Sequence, residues 1–283
     1  MTVRTMSGSA TSDENRFQFG KNWARFLRVL DDERIAEAER SLREMLEVTH
    51  LRGLSFVDVG SGSGLFSLAA KRLGAARVHS FDYDVDSVEC TRELKRRFYG
   101  NDADWTIDQG SVLDESYVQS LGRFDIVYSW GVLHHTGDMW RALGNATALV
   151  GAGGRLFIAL YNDQGSTSRR WLGIKRAYNR SRLPLRIALS LGVQLYWELR
   201  WLVGRILRLE NPLPFKTWRE KRRERGMSVW HDCVDWVGGY PFEVSKPEEV
   251  FSFCLRRGFG LRRLKTAGGG HGNNEFVFVR DTA

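Results

Sequence analysis

An α/β fold on a mostly parallel sheet is predicted by three features of these 283 residues. Short apolar runs alternate with amphipathic helical stretches, the first run ends in a glycine-rich turn, and a hydrophobic fraction of 42% suffices for a sizeable core. Ahead of the first run, Asp31 to Val48 sets Ile35, Ala38, Leu42 and Met45 on one stripe behind helix-capping aspartates, the pattern of an amphipathic helix. Ser55 to Val59 then reads as a buried strand, Gly60-Ser61-Gly62-Ser63-Gly64 as a turn, and Leu65 to Ala70 as a helix. The alternation continues with strands at Arg77 to Phe81, Trp105 to Asp108, Phe124 to Trp130 and Arg155 to Asn162. Helices are expected at Ser87 to Phe98 and Asp138 to Val150. Near the end, Ser245-Lys246-Pro247-Glu248-Glu249 opens a helix through Arg257, and Phe259 to Lys265 with Glu275 to Arg280 forms a closing hairpin.

Between Asn162 and Ser245 lie residues that this core does not require, so Asp163 to Val244 reads as an insertion. Four regions follow: a tail and leading helices at 1–50, the core at 51–162, the insertion at 163–244, and the closing helix and hairpin at 245–283. The chain carries a net charge of +8, which brings an anionic partner such as nucleic acid or a lipid surface into consideration. Arg169 to Arg225 holds sixteen Lys/Arg against four Asp/Glu, so the insertion supplies that excess.

Cys90, Cys233 and Cys254 are odd in number and far apart, which argues against a disulfide framework and a thiolate zinc site and for a reducing cytoplasm. The first sixteen residues are polar, lack the apolar stretch of a secretory signal and read as a mobile tail. Leu183 to Leu209 is apolar but is interrupted by Arg186, Glu198, Arg200, Arg205 and Arg208. Its longest uncharged run, Ile187 to Trp197, is well short of the roughly twenty residues that span a bilayer.

A strand entering a glycine turn and then a helix presents backbone N–H groups and a positive helix end to an anionic or polar ligand. Leu65 stands where a dinucleotide fingerprint needs glycine, so a pyrophosphate loses ground. Asp82, at the end of the second strand, is placed to accept the hydroxyls of a ribose.

Val57-Asp58-Val59-Gly60-Ser61-Gly62-Ser63-Gly64 followed by Asp82 resembles the class I S-adenosylmethionine-dependent methyltransferases. Gln109 to Asp114 resembles their adenine loop, and Phe124 to His135 resembles the fourth-strand block of the quinone-methylase-like subgroup. The likeness implies a Rossmann-like seven-stranded sheet with a C-terminal antiparallel hairpin, and S-adenosyl-L-methionine as donor with S-adenosyl-L-homocysteine as product. It gives Asp58, Gly60, Ser61, Gly62 and Gly64 to the methionine end, Asp82 to the ribose, and Tyr83, Ser111 and Val112 to the adenine side. Ser129 and Trp23 complete the implied cofactor contacts. Ser111 stands where many relatives carry an aspartate, leaving that contact to Asp114, to the backbone, or to nothing.

Methyl transfer is an in-line displacement, so alignment and exclusion of water matter most, and a base is needed only for a protonated acceptor. Candidates at the strand ends are His134, His135 and Tyr161, with Trp130 as an aromatic wall and Asn162 beside them; the bland alternative is that they pack or start a helix. His231, Asp232 and Asp235 are a weak metal pattern, read as a solvated turn, and no metal is expected. His271 to Glu275 reads as a turn. Helices before the first strand, including Phe17 to Trp23, cover the cofactor in related enzymes. The Trp- and Arg-rich insertion suits a lid, with a membrane-interface helix, an RNA contact through Arg219 to Arg225, or a plain helix pair as competing readings. The expected function is methyl transfer to a small-molecule acceptor; the alternatives are a tRNA or rRNA methyltransferase, a membrane-peripheral quinone or lipid methylase, or a non-catalytic module.

Overall fold

The computed structural model describes residues 20, 23, 26–208, 229–270 and 272–282. The polar start of the chain, most of Phe17 to Trp23, the basic run Arg219 to Arg225, His271, and the side chains of His231, Asp232 and Asp235 lie outside the described residues. The chain divides into two units, Gly165–Phe242 and the remainder from Gln18 onward.

The larger unit is a seven-stranded sheet in the order β3-β2-β1-β4-β5-β7-β6. Its strands are β1 (Ser55–Val59), β2 (Arg77–Asp82), β3 (Trp105–Gln109), β4 (Phe124–Trp130), β5 (Val150–Tyr161), β6 (Phe259–Lys265) and β7 (Asn273–Arg280). All neighbours pair parallel except β7, which runs antiparallel to both β5 and β6. The predicted parallel sheet with a closing hairpin is therefore present.

Its helices are α1 (Asp32–Leu46), α2 (Leu65–Arg72), α3 (Val85–Tyr99), α4 (Glu115–Ser120), α5 (Met139–Ala148) and, after the helical unit, α9 (Pro247–Leu255). Alternate residues of each strand enter opposite cores, as the strand period requires. Phe56, Val78, Ile126, Tyr128 and Phe157 pack against α1, α2 and α3. Val57, Val59, Val127, Leu156 and Ile158 pack with buried residues of α5 and α9 on the other face. Asp31 caps α1 by accepting from the Arg34 N–H at 2.9 Å, and Asp84 caps α3 by accepting from the Asp86 N–H at 2.8 Å.

Several expectations need correction. Asn273 to Glu275, read as part of a turn, already belong to β7 and pair with Tyr161, Leu160 and Ala159. The helix expected over Asp138 to Val150 stops at Ala148, because Val150 already pairs with Phe124 and opens β5. Between Val150 and the next paired residue, Arg155, the strand register shifts through the glycine-rich stretch 151–154, which masked the strand in the sequence. The short helix α4 is an addition, started by Asp114, whose carboxylate accepts from the Tyr117 N–H at 3.1 Å.

The smaller unit contains α6 (Ser166–Arg180), α7 (Leu183–Leu207) and α8 (Val229–Gly238). Residues 231–235 are therefore helical rather than a turn. Trp171, Trp197, Trp236 and Phe242 meet ring to ring, with centroids 5.5–6.5 Å apart. Lys175 is fully buried among them: its Nζ donates to the Trp236 carbonyl and lies 4.6 Å and 4.8 Å from the Trp236 and Phe242 ring centroids. Arg186 donates to the Tyr178 and Asn179 carbonyls at the end of α6, where unpaired helix carbonyls favour a cation.

Candidate active site

The carboxyl ends of β1, β2, β4 and β5 carry most of the predicted residues, with Ser111 and Val112 after β3 and Trp23 ahead of α1. The turn after β1 uses left-handed backbone at Gly60, Gly62 and Gly64, with φ of 79°, 54° and 79°. A Cβ on Gly60 would stand 2.3 Å from Val132 Cγ1, and one on Gly62 would stand 3.0 Å from the Trp23 indole. Glycine is thus required twice over, by torsion and by space, and Trp23 lies against the turn. From α3, Thr91 braces it: Thr91 Oγ1 is 3.0 Å from Ser61 Oγ and donates to the Gly62 carbonyl at 3.4 Å.

Asp82 closes the cradle. Its Oδ2 accepts from the Gly62 N–H and its Oδ1 from the Asp84 N–H, both at 2.9 Å. Each carboxylate oxygen retains a second acceptor site for another hydroxyl donor. Burial pushes the Asp82 carboxyl up to about 6, against the pull of those backbone donors.

Asp58 is buried behind the turn, with Oδ2 accepting from Ser67 Oγ at 2.5 Å. Ser67 accepts from Ser80, and Ser80 from the Trp105 indole, so a chain of donors ends on this carboxylate. Burial raises its pKa to about 7, opposed by the Ser67 bond and assisted by the Asp82 charge.

Gly110 N donates to the Asp82 carbonyl at 3.0 Å, drawing the loop after β3 to the end of β2. In that loop Ser111 Oγ accepts from the Leu113 N–H at 3.2 Å, Val112 is buried, and Tyr83 is exposed nearby in sequence on the preceding loop. Asp114 spends its carboxylate on the cap of α4. Ser129 is fully buried and donates to the Val59 carbonyl at 2.9 Å, tying β4 to the end of β1.

His134, His135 and Tyr161 are brought together. The His134 and Tyr161 rings lie 3.8 Å apart and His135 approaches Tyr161 edge-on at 5.4 Å. His134 is fully buried and its Nδ1 accepts from the Tyr161 N–H at 3.2 Å, which places the proton of the neutral ring on Nε2. His135 is only partly covered. Beyond them, Asn274 donates to Asn162 at 3.0 Å. Glu243 accepts from the Met139 N–H at 3.0 Å, and burial raises its pKa to about 7.

Sequence reasoning missed Thr91, Val132, Ser67 and Glu243. The first could have been found from the buried face of its helix, where Ser87, Val88, Thr91 and Leu94 recur at helical spacing. Among the described residues no group of three His, Cys, Asp or Glu could hold a metal ion.

Residues 57–156 match a family model described as a methyltransferase domain. The ribosomal protein L11 methyltransferase of Anoxybacillus flavithermus is 28% identical over 49% of this chain and 48% of its own length. The ubiquinone biosynthesis O-methyltransferase of a Methylobacterium species is 32% identical over 42% of this chain and 46% of its own. The chain thus matches about half the length of these relatives. The magnesium protoporphyrin IX methyltransferase of Synechocystis PCC 6803, solved with bound S-adenosylmethionine, superposes with a TM-score of 0.55 at 13% identity, covering 97% of this chain and 100% of that one, a likeness of fold. Motif blocks standing at the ends of successive parallel strands coincide with the match, which makes residues 57–156 a methyltransferase domain on a sheet of the class I methyltransferase kind.

Proposed function

We propose that the protein transfers a methyl group from S-adenosylmethionine to a small-molecule acceptor. The reading rests on one observation: left-handed glycines at the end of β1 with no room for side chains, bonded at 2.9 Å to a half-buried carboxylate at the end of β2. That cradle fits the ligand, since Asp82 keeps acceptor sites for a ribose diol and the turn offers N–H groups to the methionine end. Trp23 covers the turn, Tyr83 and Val112 flank the adenine side, and Asp58 acts from behind through Ser67. When bound, the donor supplies a methyl group on a positive sulfur that leaves as a neutral thioether.

This chain's own residues then have two tasks, alignment and proton removal. His135 is the general base for a hydroxyl or protonated amine acceptor, because His134 Nδ1 is committed to the Tyr161 backbone and cannot take a proton without losing that bond. His134 positions Tyr161 and, through stacking, the wall beside the acceptor. Trp130, exposed at the end of β4, offers an aromatic face.

Two measurements test the reading. Calorimetry with S-adenosylhomocysteine should give binding that Asp82→Asn weakens; no binding would remove the donor assignment. Tritium from labelled donor, offered separately to small metabolites, RNA and protein from a cell extract, should appear in the metabolite fraction. Transfer into RNA or protein instead would overturn the acceptor class while leaving the donor site intact.

A further inference from the structure

In the helical unit, α7 has two apolar faces and its own unit covers only one. Ser190 and Val193 are buried, and Trp197 joins the tryptophan cluster. At 100° per residue these positions share one side, while Leu191, Leu195, Leu199, Leu202 and Ile206 centre on the opposite side. All five are exposed, Leu195 at 60%, and exposed Leu185 and Val203 widen the apolar face beside them. A leucine ridge about 22 Å long on a helix already packed on its other side calls for a partner.

Charge identifies that partner's class. Residues 165–208 carry ten Lys/Arg and a single acid, Glu198, which bonds Gln194 at the edge of the ridge. Arg169, Arg170, Arg176, Arg180, Arg182, Arg200 and Arg208 are exposed. Arg205 lies over the Trp201 ring at 6.0 Å, also beside the ridge. A second copy of the same face would set these like charges against each other. A nucleic acid would pair with the arginines yet leave the leucines in water. A surface that is both apolar and negative matches both halves, and no described helix is long and apolar enough to cross a membrane.

We propose that the exposed face of α7 docks in the plane of an anionic lipid surface, with the leucine ridge entering the headgroup boundary and the arginines of the side away from it reaching lipid phosphates above the ridge. Aliphatic stems of the arginines let their charged ends reach the headgroups while the ridge stays below. The assignment concerns this face alone and does not depend on the acceptor reading.

The test is flotation of the full chain with vesicles of phosphatidylglycerol and phosphatidylcholine, and with phosphatidylcholine alone. The chain should float with the anionic vesicles at about 1 mM lipid and partition at least about tenfold less onto neutral ones. Leu195→Glu with Leu199→Glu should abolish flotation without lowering the melting temperature, because both side chains are already in solvent. Arg182→Glu with Arg200→Glu should remove the preference for anionic lipid. Equal flotation with neutral vesicles, flotation unaffected by the glutamates, or no flotation at all overturns the proposal. So does light scattering that shows a dimer dissociated by the glutamates in a chain that ignores vesicles.

Discussion

Asp82 shows how one carboxylate serves two masters. Both oxygens already accept backbone donors, so Asp82→Asn puts an NH2 group against either the Gly62 or the Asp84 N–H and removes the charge that the proposed function offers to a ribose diol. Affinity for S-adenosylhomocysteine should fall by about 2 kcal/mol, roughly thirtyfold in Kd, measured by calorimetry at pH 7.5. The same residue sets a pH dependence. Its folded pKa is raised to about 6, so the folded chain retains a proton that the unfolded chain releases at lower pH. Its contribution to stability is therefore lost as pH rises through about 6, while donor affinity, which uses the ionised form, grows over the same interval. Calorimetry at pH 5 and pH 7.5 should show tighter binding at the higher pH, and Asp82→Asn should flatten the difference. His135 separates binding from chemistry. His135→Ala should lower kcat by about 10²–10⁴-fold with donor Kd unchanged, and unchanged kcat would mean the acceptor needs no base. His134→Ala should instead lower the melting temperature, since it leaves a buried space beside Tyr161.

At the scale of elements, legibility followed how locally each feature is determined. β1, its turn and α2 were readable because the strand run, the left-handed glycines and the helix start lie within eighteen consecutive residues, 55–72, and each has a sequence signature. Asp82 was readable because a strand end is a position, whereas its bond to Gly62 joins residues twenty apart. Val150 is not legible as strand because a β-strand that begins five residues early through glycine shows no apolar period, and its reason for being strand is Phe124 on a neighbour. Thr91 and Val132 were invisible as site residues because their roles exist only when the sheet brings α3 and the β4 loop beside the turn. The helical unit hid a further feature, a buried amine. Burial holds the Lys175 pKa down to about 7 from its ordinary 10.5. Between about pH 7 and pH 10 the unfolded chain holds a proton that the folded chain does not, so this residue's contribution to stability rises with pH across that interval. The melting temperature of the wild type relative to Lys175→Met should therefore climb from pH 6.5 to pH 9.5. A constant difference would show that the amine keeps its charge inside the aromatic cluster.

The molecule as a whole is a continuous core interrupted once. Its chain leaves at the end of β5 and returns at Ser245, and these points are bonded to each other: the Ser245 N–H donates to the Tyr161 carbonyl at 2.9 Å and the Asp163 N–H to the Ser245 carbonyl at 3.0 Å. The bridge between Asn162 and Ser245 continues the parallel direction there. Exit and entry so close together mean that the core does not need the intervening residues to hold its ends in register, and a short linker closes the gap at small entropic cost. Replacing 165–242 with a few Gly and Ser residues should leave a chain that unfolds cooperatively and binds S-adenosylhomocysteine within about threefold of the wild type, because the glycine turn, Asp82, Thr91 and Trp23 all belong to the larger unit. The same deletion should lose flotation on anionic vesicles. Loss of donor affinity in a deletion that still melts cooperatively would mean that the helical unit supports the cradle itself, and the division of labour between the two units would have to be redrawn.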